Sequence, residues 1–391
     1  MRVPMRRMLA LICTMTAIAV SIPLLMVFDS PASAQSGIAL TPSVQMSFPS
    51  SMTFSIKAQS DVNITQLRLH YKVERQNYAD VTSEAWAQFT PGTTVNTQWL
   101  WDMRKGGIPP GTLVNYWWTA IDASGKTGMT PTAQVNFADN RYKWQSITSG
   151  PITLYWYQGS NSFANSLIAA GQQALQRLQT DTGAIPQRHA SIYIYASTSD
   201  LQGALLFPQE WTGGVAFTGY DVIAIGVSTS QLTWGQGAVR HELTHWITHQ
   251  LTFNNYGAGL PVWLEEGLAT YGEGPLTPGR VSLLSQAVQS NNLISVRSLS
   301  SPFSAITSVA ELSYTESYSI VNFLIQTYGK DKMVALLDVF GQGNDYDQAL
   351  RQVYGFDQDG LNSLWRQSLG AKTASMPRTE PALAGVATRN S

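Results

Sequence analysis

Apolar and polar residues alternate along the first third of the chain, with the two-residue period of strands that are buried on one face. The alternation runs over residues 54–58 and 67–73, and residues 94–101 and 113–121 form two further runs. Dipeptides that favour turns, such as Pro-Gly and Gly-Gly, separate several of these runs. Several short strands within about a hundred residues predict a β-sandwich over residues 35–140.

Beyond residue 145 the pattern changes to strands that alternate with helices. Apolar runs at residues 152–157 and 191–196 predict two strands, and apolar residues at helical spacing over 163–178 predict a helix between them. Two more short apolar runs follow within residues 215–227. These elements predict a small mixed sheet in the middle of the chain.

Helical patterns dominate from residue 231 onward. A loop is expected before Thr307, and residues 330–369 predict three short packed helices. We therefore predict an α+β chain. In this prediction a β-sandwich of immunoglobulin or fibronectin III type precedes a second domain, over residues 145–370, with a small mixed sheet and a mainly helical part.

The two ends of the chain differ in composition from the rest. Residues 1–34 combine three arginines near the start, an apolar run and the small-residue triplet Ala32-Ser33-Ala34, which together predict a cleaved secretory signal. The alternative is an uncleaved anchor, since about twenty apolar residues are enough to span a bilayer. Either way we expect a secreted or extracytoplasmic protein of the cell envelope. The tail over residues 371–391 is small and polar, which predicts disorder.

Composition narrows the possible partners. Apolar residues make up 44% of the chain and charged residues 13%, and the net charge is −1, so nothing indicates a nucleic-acid partner. Cys13 is the single cysteine and lies in the leader, so the mature chain forms no internal disulfide. Its stability must come from packing and from any bound metal.

The clearest chemical motif is H-E-x-x-H at residues 241–245. On a helix His241 and His245 leave the same face about one turn apart, which suits two corners of a tetrahedral zinc site. Glu242 follows the first histidine and can act as general base on a water molecule. A catalytic zinc site needs a third protein ligand, and the segment Pro261–Tyr271 offers Glu265 and Glu266 on a second predicted helix.

The downstream pattern W-L-x-E-G-x-A distinguishes this motif from strings of the same five letters that bind no metal. A metzincin would need glycine at position 248 and a third histidine at position 251, where this chain has Thr248 and Leu251. His249 lies one turn beyond His245 and is interpreted as a supporting or surface residue.

Together, H-E-x-x-H and W-L-x-E-G-x-A resemble the gluzincin metallopeptidases, and among them the peptidase MA-like group. The resemblance covers residues 145–370. It implies Zn²⁺ as the cofactor and Glu266, directly before the glycine, as the third ligand, while Glu265 stands where relatives carry Asn. It also implies that an edge strand ahead of the zinc helix pairs with an extended peptide or protein substrate, and residues 213–226 are the candidate segment.

The resemblance further implies an oxyanion donor and a mode of cleavage. In aminopeptidase-type gluzincins a tyrosine at the head of a later helix donates to the oxyanion; Tyr314 matches that place, and Tyr318 is the second choice. Those aminopeptidases carry a glutamate on the edge strand that captures the substrate's amine, and residues 213–217 hold no carboxylate. We therefore expect an endopeptidase. An aminopeptidase, or an envelope binding or adhesion protein with a non-catalytic zinc fold, remains the alternative.

Overall fold

The computed structural model describes residues 37–76, 79–206, 213–254 and 256–371. The predicted leader lies outside these residues, and so does the predicted tail apart from Ala371. Within the described residues, no helix is both long enough and apolar enough to cross a membrane.

The N-terminal part is a sheet of seven antiparallel strands. Strand β2 is its centre: it pairs with β1, β3, β4 and β5, while β6 and β7 both pair with β5. The strands are β1 (Ile38–Ser47), β2 (Ser51–Val73), β3 (Ser83–Trp86), β4 (Gly92–Asp102), β5 (Thr112–Asp122), β6 (Thr127–Met129) and β7 (Ala133–Phe137).

Strand β2 joins two runs that the sequence predicts separately. Its buried residues are even-numbered from Met52 to Ala58, and from Leu67 to Leu69 they are odd-numbered. A shift of pairing register between residues 59 and 66 accounts for this change of phase, because a bulge moves the side-chain alternation by one residue. Both halves of the strand bury their apolar residues in one core.

The second sheet has five strands in the order β11-β12-β10-β9-β8. Strands β9, β10 and β12 run parallel, and the edge strands β8 and β11 are antiparallel to their neighbours. The strands are β8 (Gln145–Ser149), β9 (Ile152–Trp156), β10 (Ala190–Tyr195), β11 (Gly214–Phe217) and β12 (Val222–Gly226).

Helices cover one face of this sheet and continue to the end of the described chain. Alternate residues of β10 and β12, such as Ile192 and Ile223, pack against α1 and α3 in one core. The opposite face is lined by tyrosines, among them Tyr193 and Tyr195. The helices are α1 (Asn161–Thr182), α2 (Thr198–Gln202), α3 (Leu232–Thr252), α4 (Val262–Glu273), α5 (Pro278–Gln289), α6 (Val296–Leu299), α7 (Thr307–Tyr328), α8 (Lys330–Gly341), α9 (Tyr346–Tyr354) and α10 (Gln358–Ser368).

The predicted fold class is confirmed at the level of a β-rich N-terminal part, a small mixed sheet and a helical C-terminal part. The immunoglobulin or fibronectin III topology stays a prediction, as do the domain limits. One expectation about α7 is wrong: Tyr314 does not head the helix, which begins at Thr307, two turns earlier. The loop expected before Thr307 contains the short helix α6.

Candidate metal centre

Two imidazoles converge on the side of α3 that faces α4. His241 and His245 are one turn apart, and their Nε2 atoms lie 3.1 Å from each other. The opposite side of α3 packs into the core through Leu243, Trp246 and Ile247. This burial fixes the rotation of the helix, so that both histidines face away from this core and toward α4.

Helix α4 brings a carboxylate to the same point. Oε2 of Glu266 lies 3.4 Å from Nε2 of His241 and 3.5 Å from Nε2 of His245. Glu265 points elsewhere, with Oε1 at 3.7 Å from Nδ1 of His245. Among the described residues, His241, His245 and Glu266 are the one group of three that can offer ligand atoms to a common ion.

The spacing of these three atoms fits zinc. A tetrahedral zinc site with ligands at about 2.0–2.1 Å places its corners about 3.3–3.4 Å apart. The observed separations of 3.1, 3.4 and 3.5 Å are close to that edge length. Oε2 of Glu266 is buried and accepts no hydrogen bond from any described residue, as expected of an atom that serves a cation. Two imidazoles and one carboxylate also leave a fourth position for a reactant.

Small residues let α4 approach its neighbours closely. A Cβ at Gly267 would lie 2.5 Å from the carbonyl oxygen of Ser317 on α7, and a Cβ at Gly272 would lie 2.4 Å from Oγ1 of Thr244 on α3. A larger residue at Gly267 would require movement of a helix, whereas one at Gly272 would require the side chain of Thr244 to move. Gly267, the residue after Glu266, therefore lets α4 pack closely on α7, and Gly272 lets α4 pack closely on α3.

A carboxylate missed by the sequence analysis supports the first histidine. Oε1 of Glu273 lies 2.8 Å from Nδ1 of His241, and Arg280 approaches the other oxygen of Glu273 at 3.5 Å. A proton on Nδ1 leaves the lone pair of Nε2 free for a metal. Glu273 follows Glu266 by seven residues, two turns of α4, so the spacing alone indicates a shared face.

The electrostatics of the three groups favour a cation. Burial acts to lower the pKa of His241, but the facing carboxylates of Glu266 and Glu273 outweigh it and raise that pKa to about 10. Burial acts to raise the pKa of Glu266, and the two imidazoles overcome it and hold that pKa well below its usual range. A metal ion must displace the proton held here.

Glu242 lies beside the ligands and against the edge strand. It is buried, and a Cβ at Gly214 would lie 2.7 Å from its Oε1. Burial raises the pKa of Glu242, while the neighbouring imidazoles act in the opposite direction. The glycine thus leaves room for the carboxylate between α3 and β11.

Of the two candidate tyrosines, Tyr314 is at the site. Its ring centroid lies 6.3 Å from that of His241, and burial raises the pKa of its hydroxyl, which keeps it a donor. Tyr318 packs against Tyr271, with ring centroids 5.9 Å apart. His249 packs against Phe253 and is not part of the ligand group.

The sequence model of the peptidase MA superfamily matches residues 169–371, which is 203 of the 391 residues. No curated protein matches the chain in sequence. The matched segment begins within α1 and includes the H-E-x-x-H helix, α4 and α7.

Several solved structures share a weak likeness with the chain. Aminopeptidase A from Legionella pneumophila is 12% identical, with a TM-score of 0.38, over 84% of this chain and 49% of that one. An M1 zinc metallopeptidase from Deinococcus radiodurans is 10% identical, with a TM-score of 0.38, over 84% of this chain and 94% of that one. OgpA from Akkermansia muciniphila is 10% identical, with a TM-score of 0.20, over 26% of this chain and 28% of that one. The match thus spans about half of the Legionella protein and about a quarter of the Akkermansia protein.

Proposed function

The chain belongs to the peptidase MA superfamily, and from this premise we propose that it is a zinc-dependent endopeptidase that acts outside the cytoplasm. The observation that carries the proposal is the convergence of Nε2 of His241, Nε2 of His245 and Oε2 of Glu266 beside the buried carboxylate of Glu242. The predicted leader at residues 1–34 supports the proposed location.

In this proposal His241, His245 and Glu266 hold the zinc ion. When bound there, zinc supplies Lewis acidity, which makes a water molecule more acidic and polarises the carbonyl of the scissile bond. Glu242 takes one proton from the attacking water and delivers it to the leaving amine, whose bond to the carbonyl carbon breaks. The hydroxyl of Tyr314 donates a hydrogen bond to the oxyanion.

The edge of the five-stranded sheet offers a place for the substrate backbone. The carbonyl of Gly213 accepts a hydrogen bond from the N–H of Gly226 at 2.9 Å, so Gly213 faces β12. In an antiparallel ladder the N–H and C=O groups of successive residues point to opposite sides of the strand. The backbone groups of Gly214 and Ala216 therefore point away from β12. An extended peptide can add to this edge as a further strand, next to Glu242.

Cleavage of internal bonds is proposed because the edge segment lacks an amine-capturing acid. Residues 213–217 are Gly-Gly-Val-Ala-Phe, with no carboxylate. Blocking the N-terminus of a peptide by acetylation should therefore leave its cleavage intact. Release of single N-terminal residues that acetylation abolishes would favour an aminopeptidase.

Metal content tests the ligand set directly. The purified protein should hold about one zinc per chain, and His245→Ala should remove it. Glu266→Gln should weaken zinc binding strongly, whereas Glu265→Gln is the matched control and should retain the metal. Full zinc retention by His245→Ala and Glu266→Gln would remove the basis of the proposal. Zinc binding without any peptide hydrolysis would favour a binding protein with a non-catalytic zinc fold.

A further inference from the structure

The first turn of α3 carries a large apolar side chain that is about half exposed. Trp234 is 48% exposed, on the same helix as the two histidines. His241 and His245 follow it by seven and eleven residues, so the three side chains leave the helix within about 20° of one direction. Trp234 therefore lies on the same side of α3 as the ligand pair, about 10 Å from His241 along the helix axis.

The indole also touches the beginning of the edge strand. A Cβ at Gly213 would lie 3.1 Å from two ring carbons of Trp234, and a Cβ at the next residue, Gly214, would lie 2.7 Å from Oε1 of Glu242. Consecutive residues of one backbone segment thus pack on the indole and on the catalytic carboxylate. A substrate peptide that extends along this edge would therefore pass both the indole and the carboxylate.

We propose that Trp234 is a specificity-determining residue that binds a large apolar side chain of the substrate, within three residues of the scissile bond. The inference rests on the proposed function, because it assumes a peptide extended along β11. An extended chain advances about 3.3 Å per residue, so the rise of about 10 Å along α3 from Trp234 to His241 limits this separation to about three residues. Burial of an aromatic or aliphatic side chain against the exposed indole removes apolar area of both partners from water.

Peptides that differ at one residue test this directly. One parent sequence is made with Phe, Leu, Ser or Lys at each of the three positions on either side of the cleaved bond. The zinc-loaded protein should prefer Phe or Leu over Ser by about 10- to 100-fold in kcat/KM at one position. In Trp234→Ala this ratio should fall close to one, while cleavage of the Ser peptides changes little; Trp234→Phe should keep part of the preference.

The matched control is Trp86→Ala, since Trp86 is 53% exposed but lies on β3 of the other sheet. It should leave the preference unchanged. An equal loss for all peptides in Trp234→Ala would mean that Trp234 supports only the structure, and a preference for Lys would mean that the indole binds cations. Either result, or an unchanged ratio, overturns the proposal.

Binding separates this inference from the proposed function. With zinc-loaded Glu242→Gln, calorimetry should show the Phe peptide binding more tightly than the Ser peptide, and the added Trp234→Ala change should abolish the difference. If the wild-type protein cleaves no peptide, the proposed function fails, and the inference stands or falls on this binding difference. Equal binding of both peptides to Glu242→Gln overturns the inference whether or not the protein cleaves.

Discussion

The imidazole of His241 faces Glu273 across 2.8 Å, from its Nδ1 to Oε1 of the carboxylate. The contact joins the middle of α3 to the last residue of α4 and orients the ring whose Nε2 points at Glu266. Because a carboxylate in this place fixes the tautomer and raises the basicity of a ligating histidine, it should strengthen metal binding.

Glu273→Ala should therefore weaken zinc binding by about 10- to 100-fold without removing a ligand. Competition with a chelator of known affinity measures this change. Glu311→Ala is the control, because Glu311 also contacts Arg280, at 2.7 Å, but is not a partner of His241. If both variants bind zinc equally tightly, the contact with Glu273 does not orient the ligand.

The two tyrosines of α7 should differ in their effect on turnover. Tyr314→Phe removes one donor beside the site and should lower the rate by about a hundredfold, with little change in zinc content or in substrate affinity. Tyr318→Phe, one turn away and packed on Tyr271, should keep most of the activity. Single-turnover kinetics on one peptide compare the two. The opposite ranking would place the donor at Tyr318.

The glycine that follows the third ligand should be needed for helix packing. Gly267→Ala would bring a methyl group to 2.5 Å from the carbonyl oxygen of Ser317, and overpacking of this kind costs about 1 to 3 kcal/mol of unfolding free energy. Gly237→Ala on α3 is the control: a Cβ there meets nothing within 4 Å, and alanine stabilises a helix relative to glycine. Urea unfolding of the two variants should give shifts of opposite sign, and equal shifts would contradict the close approach.

A buried carboxyl away from the metal centre should make stability depend on pH. Glu316 is fully buried on α7, and burial raises its pKa to about 8, although the N–H of Ile294 donates to it. The unfolded value is about 4.3, so the folded chain holds this proton more tightly. The unfolding free energy should consequently fall as pH rises from about 4 to about 8.

Glu316→Gln removes that titration while it keeps an acceptor for Ile294. Its stability relative to the wild-type protein should increase steadily between pH 5 and pH 8 in denaturant titrations of the metal-free proteins. A difference that does not vary with pH would contradict the raised pKa.

Much of the architecture follows from local patterns. The strand predicted at residues 152–157 is observed at Ile152–Trp156, and the two runs around residue 220 form the hairpin of β11 and β12. The start of α7 was harder to predict than these strands. The residue before it, Ile306, makes no side-chain cap that would mark a helix boundary. The continuity of β2 was also missed, since a bulge reverses the phase of its alternation.

The convergence of the two imidazoles could be predicted from the spacing of the H-E-x-x-H motif, because both histidines lie on one helix, one turn apart. Glu273 and Trp234 were missed for a different reason. Glu273 lies seven residues from Glu266, and Trp234 lies seven residues from His241. Helical periodicity therefore places each of them on the same helix face as that proposed ligand. Whether such a residue reaches the site depends on how α4 and β11 pack against α3, and local sequence does not encode that packing.

Zinc content and hydrolysis of internal peptide bonds, measured together on wild-type protein and Glu242→Gln, test the central proposal most directly. Mass spectrometry of a peptide mixture should show internal cleavage by the wild-type protein. The variant should hold the same zinc, about one per chain, and cleave more slowly by about two to four orders of magnitude, because it keeps the ligands and lacks the base. Equal cleavage by the two proteins, or no cleavage by wild-type protein that carries its full zinc, would contradict the proposed peptidase.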